Sequence, residues 1–273
     1  MSFKSILVHA EPGPGCNTRI RLALEVADMF GASVTGLGAE AFDPVMLSGY
    51  ATADGAVIEA IRERIAMDLP AAETHFRALT KGRKDVLWVT GEDYPDKMLA
   101  LYARGADLIV AGRPALGESA TFAARPTDLV MEAGTPVLMA ADGDRPFLGE
   151  RVVVGWKDTR ESRRALSDAL PFLMRAQSVT VVAVCGEADG HGNQRGLEDV
   201  ARRLARHGVQ AGVEAVPKGR SSVAKALEDA ADRHGADLLV VGAYGHSRLR
   251  EWALGGATED LIVSSSKFVL FSH

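Results

Sequence analysis

Residues 236–256 read ADLLVVGAYGHSRLREWALGG, and this stretch decides the fold of the chain. It opens with an apolar run, LLVV at 238–241, which lies between Gly235 and Gly242. A short apolar run between glycines is typical of a strand that is buried on both faces of a parallel sheet. The stretch therefore predicts the centre of an α/β domain.

The glycines that follow this strand have a defined spacing. Gly242 and Gly245 come directly after the strand, nine residues lead to Gly255 and Gly256, and a helix-like run begins at Ala257. A strand that ends in glycines and leads to a helix start leaves backbone N–H groups at the carboxyl edge of the sheet, where an anion can approach closely. The pattern favours a phosphate-binding loop. The alternative is that the glycines only shape a tight connection.

Length and composition narrow the function classes. At 273 residues the chain is long enough for two domains, and 47% hydrophobic with 25% charged residues is typical of globular proteins. The net charge of -5, with dispersed basic residues, argues against nucleic-acid binding. No apolar run reaches membrane-spanning length, and the N-terminus MSFKSILVHA lacks the order of a signal peptide. We expect a cytoplasmic protein without membrane contact.

The chain repeats itself. Residues 105–112 read GADLIVAG and residues 235–242 read GADLLVVG, an offset of 235 − 105 = 130. Near the start of each half, SILVH at 5–9 matches RVVVG at 151–155, an offset of 146. The repeat predicts two copies of one domain, residues 1–142 and 150–273, joined by a short polar connection.

Strand and helix patterns alternate in both copies, which predicts parallel sheets with right-handed crossovers. In the second copy we expect one helix over 160–176 and another over 196–207, preceded by a glycine-rich loop at 189–192. Thr159 with Ser162 is placed to cap the first helix of this copy, and Ser221-Ser222 to cap the third.

The glycine segment resembles that of the universal stress protein family, whose nucleotide-binding members carry G, two residues, G, nine residues, G, then Ser or Thr. Gly242, Gly245 and Gly255 fit this spacing, whereas Gly256 stands where the hydroxyl residue is expected. The resemblance covers the whole chain. It implies an α/β fold of two tandem five-stranded parallel sheets in strand order 3-2-1-4-5, with helices on both faces, similar to the adenine-nucleotide alpha hydrolase fold.

The same resemblance implies how the copies associate. Family members pair their sheets through the last strand, which in this chain is 137–139 in the first copy and 269–271 in the second. The resemblance therefore implies an intrachain pseudo-dimer of the two copies. It also allows a further homodimer of two chains. It also implies an adenine nucleotide as ligand, with ATP, accompanied by Mg²⁺, as the expected cofactor.

Ligands of open parallel sheets bind where the strand order reverses, so the turn after Gly155 is the second part of the candidate site. In the family this turn carries an aspartate that holds the adenosine. Here Lys157 stands at that place and Asp158 follows it. A lysine cannot accept a hydrogen bond from a ribose hydroxyl, so this contact is lost unless Asp158 turns inward. Lys157 is then either an anion ligand or a solvated loop residue.

Further residues complete the predicted nucleotide site. Trp156 stacks on a base or belongs to the core, and Cys185, at the end of the second strand of this copy, forms a wall near the base. Phosphates are expected beside Ser247, Arg248 and Arg250, with His246 next to the second glycine, and at the backbone N–H groups of the helix start. That last set comprises Gly256 and Ala257. The alternative for each arginine is an exposed residue without a ligand.

The first copy has lost most of this motif. Gly112 remains, but Ala115 stands at the place of the second glycine, and the first turn has Ala10 or Glu11 near the aspartate position. The two cysteines, Cys16 and Cys185, and the scattered histidines have no metal-ligand spacing. We expect the first copy to be structural, or to bind something other than a nucleotide.

Three functions remain open. The first is a stress-response sensor that binds ATP or a related adenine nucleotide in its second domain. The second is a nucleotide-free scaffold, favoured by Lys157 and Gly256. The third is a slow nucleotide hydrolase, for which the segment offers only Glu251, Glu259 and Asp260 as carboxylates, with no paired nucleophile and base. A binding protein without catalytic residues is therefore preferred to an enzyme.

Overall fold

A computed structural model describes residues 2–12, 16–43, 55–113, 123–141, 143, 145–186, 190–219, 221–244 and 256–273. By its internal contacts the chain divides into two units, Ser2–Ala140 and Ala141–His273. Both consist of parallel strands that alternate with helices, so the predicted α/β class is confirmed.

The first unit has five strands and four α-helices among its described residues. In chain order they are β1 (Ser5–His9), α1 (Asn17–Phe30), β2 (Ser33–Ala39), α2 (Gly55–Leu79), β3 (Val86–Gly91), α3 (Pro95–Tyr102), β4 (Leu108–Ala111), α4 (Pro126–Glu132) and β5 (Val137–Met139). Parallel pairing places them in the order β3-β2-β1-β4-β5.

The second unit repeats this arrangement. Its elements are β6 (Arg151–Gly155), α5 (Arg160–Asp168), α6 (Leu170–Leu173), β7 (Ser178–Cys185), α7 (Gly190–Ala205), β8 (Ala211–Pro217), α8 (Val223–Arg233), β9 (Leu238–Gly242), α9 (Ala257–Ser264) and β10 (Phe268–Ser272). The strands pair in parallel in the order β8-β7-β6-β9-β10.

The repeat offsets reappear in the strand register. Ile6 of β1 pairs with Leu108 of β4, and Val152 of β6 pairs with Leu238 of β9. The differences, 152 − 6 = 146 and 238 − 108 = 130, are those of the sequence repeat. The central strand pair therefore has one register in both units.

A repeated aspartate ties the amino ends of these two strands together. The carboxylate of Asp107 accepts hydrogen bonds from the backbone N–H groups of Lys4 (2.7 Å) and Ser5 (3.0 Å). Asp237 does the same in the second unit, where the N–H of Arg151 donates to it at 2.9 Å. The aspartate of the GADL repeat thus satisfies strand-end donors that would otherwise lack partners.

The central strands are buried on both faces, as their apolar runs predict. Side chains 6–8 in β1 are at most 1% exposed, and side chains 238–240 in β9 are fully buried. No helix among the described residues has the length and apolar character needed to cross a membrane.

Two predictions of local structure are wrong. The helix expected over 160–176 is divided into α5 and α6, because Pro171 has no N–H to donate and its ring obstructs a continuous helix. The loop expected at 189–192 is helical from Gly190 onward, and Asp189 lies outside the described residues. The buried side chains of α7, at Leu197, Val200 and Leu204, pack on the sheet. Because adding a residue to an existing helix costs little, this packed helix can extend through the glycines at its start.

One aromatic residue of the segment between the two copies belongs to the core of the second unit. Phe147 is 4% exposed and makes edge-to-face contacts with Phe172 (5.5 Å between ring centroids) and Phe268 (5.1 Å). Its neighbour Leu148 is 53% exposed. The polar connection predicted from sequence thus carries one aromatic anchor.

Replacing this anchor is expected to destabilise the second unit. Phe147→Ala removes a buried ring, which costs about 3–5 kcal/mol of the free energy of unfolding. The adjacent Leu148→Ala removes an exposed side chain, and we expect a change within about 0.5 kcal/mol. Urea unfolding of the full chain measures both variants. Equal effects of the two substitutions would contradict the anchoring role of Phe147.

Candidate functional site at the ends of β6 and β9

The ends of β6 and β9 form the point where the strand order of the second unit reverses. These strands are neighbours, yet the chain continues from β6 toward β7 on one side and from β9 toward β10 on the other. A crevice opens outside the carboxyl ends of strands at such a point. The candidate site therefore consists of the turn after Gly155 and the segment after Gly242.

Gly242 is required for close packing of a helix on the strand end. A Cβ atom at this position would lie 2.5 Å from the backbone carbon of Glu161 and 2.5 Å from the backbone nitrogen of Ser162. Both belong to the first turn of α5. The absent side chain thus allows the end of β9 to reach the amino end of a helix, where N–H groups and the helix dipole favour anions.

Hydrogen bonds at both of its backbone polar groups hold Ala243, the first residue after β9. The N–H of Ala243 donates to the carbonyl of Ser272 (2.8 Å), and the carbonyl of Ala243 accepts from Nδ1 of His273 (3.0 Å). Tyr244 has φ of 56°, in the left-handed region that non-glycine residues rarely adopt. Such backbone strain persists only where the surroundings hold it and is common at functional sites.

Thr258 joins the two ends of the glycine segment, and sequence reasoning missed it. Its hydroxyl accepts the N–H of Tyr244 at 3.3 Å, and the side chain is buried in the first turn of α9. A hydroxyl side chain therefore lies two residues beyond Gly256, the position at which the family pattern has Ser or Thr. Gly256 is the extended N-cap of α9 and makes no side-chain cap, and Ala257 begins the helix. The signal available in the sequence was a threonine within the predicted helix start.

The turn after β6 does not direct a carboxylate inward. Lys157 is exposed, and its backbone N–H donates to Oγ of Ser162 at 3.3 Å. The Asp158 side chain is 75% exposed and forms an ion pair with Arg163 at 2.5 Å. Of the two arrangements considered for Asp158, the inward one is not observed. The predicted cap is present, since Oγ1 of Thr159 accepts the N–H of Ser162.

Trp156 and Cys185 lie on the β7 side of the site. Trp156 is half-buried, and its backbone N–H donates to the carbonyl of Val182 at 2.7 Å. Cys185 ends β7 and is half-buried, with its thiol 3.7 Å from the carbonyl oxygen of Ala183. It lines a cleft of about 400 Å³ at the ends of β7 and β8, together with Gly186, Ala215, Val216, Pro217, Lys218 and Gly219.

Comparison with known proteins assigns this part of the chain to a family. Residues 149–273 match the model of the universal stress protein family. The second half of the chain is a universal stress protein domain. Among curated proteins, none matches the chain.

Solved structures extend the fold likeness to both halves. A universal stress protein from Archaeoglobus fulgidus DSM 4304 has a TM-score of 0.71 at 15% identity, covering 98% of this chain and 95% of its own. A functionally unknown protein from Pseudomonas aeruginosa PAO1 has a TM-score of 0.61 at 16% identity, covering 99% of this chain and 92% of its own. A universal stress protein in complex with cAMP covers 45% of this chain and 96% of its own, with 26% identity and a TM-score of 0.38.

Much of the predicted phosphate segment of this universal stress protein domain lies outside the described residues. These positions are Gly245, His246, Ser247, Arg248, Arg250 and Gly255. Of the predicted set, the structure places residues 155–158, Cys185, Gly242, Gly256 and Ala257 at the carboxyl edge of the sheet. Among the residues that are described, no group of three or more His, Cys, Asp and Glu side chains could hold a metal ion.

At the corresponding edge of the first unit, buried side chains lie beside Gly112 at the end of β4. Arg19 and Glu11 form a buried ion pair at 2.5 Å beside Gly112. Burial, and then the positive charge of Arg19, hold the pKa of His9 well below its usual value, so His9 is neutral at pH 7. The Cys16 thiol donates to the carbonyl of Glu11 at 3.2 Å, and burial raises its pKa, so this cysteine is not a reactive thiolate.

A pair of glycine substitutions tests the close packing in the universal stress protein domain. Gly242→Ala places a methyl group against the backbone of α5, and we expect the free energy of unfolding to fall by about 2 kcal/mol or more. Gly196→Ala is the control, because Gly196 lies within α7 with no atom within 4 Å of the added Cβ. It should stabilise the helix by about 0.5–1 kcal/mol. Thermal unfolding measures both, and a tolerated Gly242→Ala would contradict the packing.

Proposed function

We propose that this chain is a cytoplasmic stress-response protein whose second unit binds ATP or a related adenine nucleotide at the ends of β6 and β9. The observation that carries the proposal is the joined pair of helix starts at this edge. Gly242 lies against the first turn of α5, and Tyr244 is tied to Thr258 in the first turn of α9. Two helix amino ends beside a strand-order reversal suit a phosphorylated ligand.

The cleft beside Cys185 supports the same ligand class. It lies at the ends of β7 and β8, next to the crevice, and its volume of about 400 Å³ is in the range of small-molecule sites. Its lining is mostly small and apolar, with Lys218 at its rim. A flat aromatic base placed there leaves the ribose near the turn at Lys157 and the phosphates near Gly242.

Occupancy of this site is the proposed signal. The left-handed Tyr244 and its hydrogen bond to Thr258 couple the glycine segment to α9 and, through Ala243, to β10. A ligand that binds at the end of β9 changes the equilibrium of the elements attached to Ala243 and Tyr244. We propose that the chain reports bound nucleotide through this change rather than by turning over a substrate.

Calorimetric titration of ATP with Mg²⁺ into the purified full chain tests the proposal. We expect binding near one nucleotide per chain. Thr258→Val removes the acceptor for the Tyr244 N–H and should weaken binding about tenfold, whereas the matched Thr258→Ser keeps a hydroxyl and should stay within about threefold. Absence of heat and of any thermal shift at millimolar ATP would overturn the nucleotide-sensor proposal.

Lys157 provides a test of the ribose side of the site. Lys157→Asp supplies the carboxylate that ribose hydroxyls donate to, and we expect ATP affinity to rise about three- to tenfold. Lys157→Met removes the charge without adding an acceptor and serves as the control. If both variants tighten binding equally, charge removal is the cause and the ribose contact is wrong. If Lys157→Met weakens binding, Lys157 is an anion ligand.

A nucleotide-free scaffold is the second candidate, and one observation favours it. Asp158 pairs with Arg163 at the surface instead of turning toward the crevice, so no carboxylate of this turn takes the role of the family's aspartate. In that case the function lies in the predicted pairing of the two copies through β5 and β10. A silent titration with an unchanged oligomeric state on adding ATP would support the scaffold.

A further inference from the structure

The first unit has a crevice position equivalent to the proposed nucleotide site. β1 and β4 are neighbours in the same register as β6 and β9, so the strand order also reverses between them. The offsets of the repeat place Glu11 at the position of Lys157, and Gly112 at the position of Gly242. A comparison of these positions shows how the two crevices differ.

A guanidinium group lies over Gly112. Arg19, the third residue of α1, is 5% exposed. A Cβ atom on Gly112 would lie 2.8 Å from Cδ and 3.1 Å from Cζ of Arg19. At Gly242 the same space is bounded by the backbone of α5, whose third residue is Ser162. The side chain of Arg19 therefore covers the end of β4, whereas in the second unit the backbone of α5 covers the end of β9.

A carboxylate holds the guanidinium in place. Nη2 of Arg19 donates to Oε1 of Glu11 at 2.5 Å, and the two side chains are only 6% and 9% exposed. The turn that carries Glu11 is itself held by the Cys16 thiol. His9, buried beside the pair, is neutral and adds no competing charge. In the second unit Lys157 is exposed, so the charge at the equivalent position is reversed and turned outward.

We propose that Arg19 is a built-in occupant of the crevice of the first unit. Its guanidinium fills the space at the end of β4, pairs with Glu11, and closes this crevice to anionic ligands. A phosphate that entered there would have to break the buried ion pair of Arg19, which costs free energy. It would then lie beside the buried carboxylate of Glu11, which repels it. This inference concerns the first unit and holds whether or not the second unit binds nucleotide.

A double-mutant cycle in the full chain tests the position of Arg19. We expect Gly112→Ala to lower Tm by about 5 °C or more in the wild-type background, because the added methyl meets Arg19. In the Arg19→Ala background the space is open, and the same substitution should lower Tm by less than about 2 °C. Gly242→Ala is the control, since its obstacle is the α5 backbone and its cost should be the same in both backgrounds.

The cycle can be run even if Arg19→Ala alone does not fold. That variant leaves the Glu11 carboxylate buried without its partner, so Glu11→Gln combined with Arg19→Ala provides a background without the buried charge. If the cost of Gly112→Ala is the same with and without Arg19 in this background as well, the proposed occupancy is wrong.

Chemical rescue tests the crevice as a cation pocket. Methylguanidinium at millimolar concentration is expected to raise the Tm of the Arg19→Ala variant by several degrees. The Tm of the wild type in the same solution should change by less. Tetramethylammonium at equal ionic strength, which cannot donate hydrogen bonds, should not raise the Tm of the variant. The Arg19→Ala variant with Glu11→Gln should lose the rescue. Rescue that is absent, or that is equal with tetramethylammonium or without the Glu11 carboxylate, would overturn the proposal.

Discussion

The structure of the second unit depends on a strand end that carries no side chain. Because position 242 is glycine, the end of β9 lies against the backbone of Glu161 and Ser162 in the first turn of α5. This contact sets the distance between the central strand pair and the helix that follows β6. The turn at Lys157 and the cap at Thr159 lie beside this contact, because both form hydrogen bonds with Ser162.

The first unit meets the same constraint with different atoms. Gly112 also lies under the first turn of a helix, but the side chain of Arg19 fills the space and pairs with Glu11. The sheets, by contrast, keep one register and one strand-end device, the carboxylates of Asp107 and Asp237. The differences described between the copies, at Glu11, Arg19 and Lys157, lie near the carboxyl edge of the sheet.

Much of the fold was predictable because its signals are local or repeated. Apolar runs identified the buried strands, and the offsets of 146 and 130 predicted two copies of one domain, which the shared register of the central strand pairs matches. Hydroxyl residues predicted the cap at Thr159 and a cap at 221–222, which Ser222 forms. The errors were local as well. Pro171 divides a helix that periodicity joined, and α7 extends through glycines that suggested a loop.

From the amino-acid sequence alone, the α/β class, the repeat of one domain and the sheet edge of the candidate site can be predicted, because hydrophobic period and glycine spacing depend on neighbours along the chain. The side chains that lie at the two strand-order reversals follow only from the fold in three dimensions. Asp158 turns to Arg163, Thr258 bonds to Tyr244, and Arg19 crosses to Glu11 and Gly112. Each of these contacts depends on where the fold places the two partners. The spacing of residues along the chain does not specify the direction in which a side chain points.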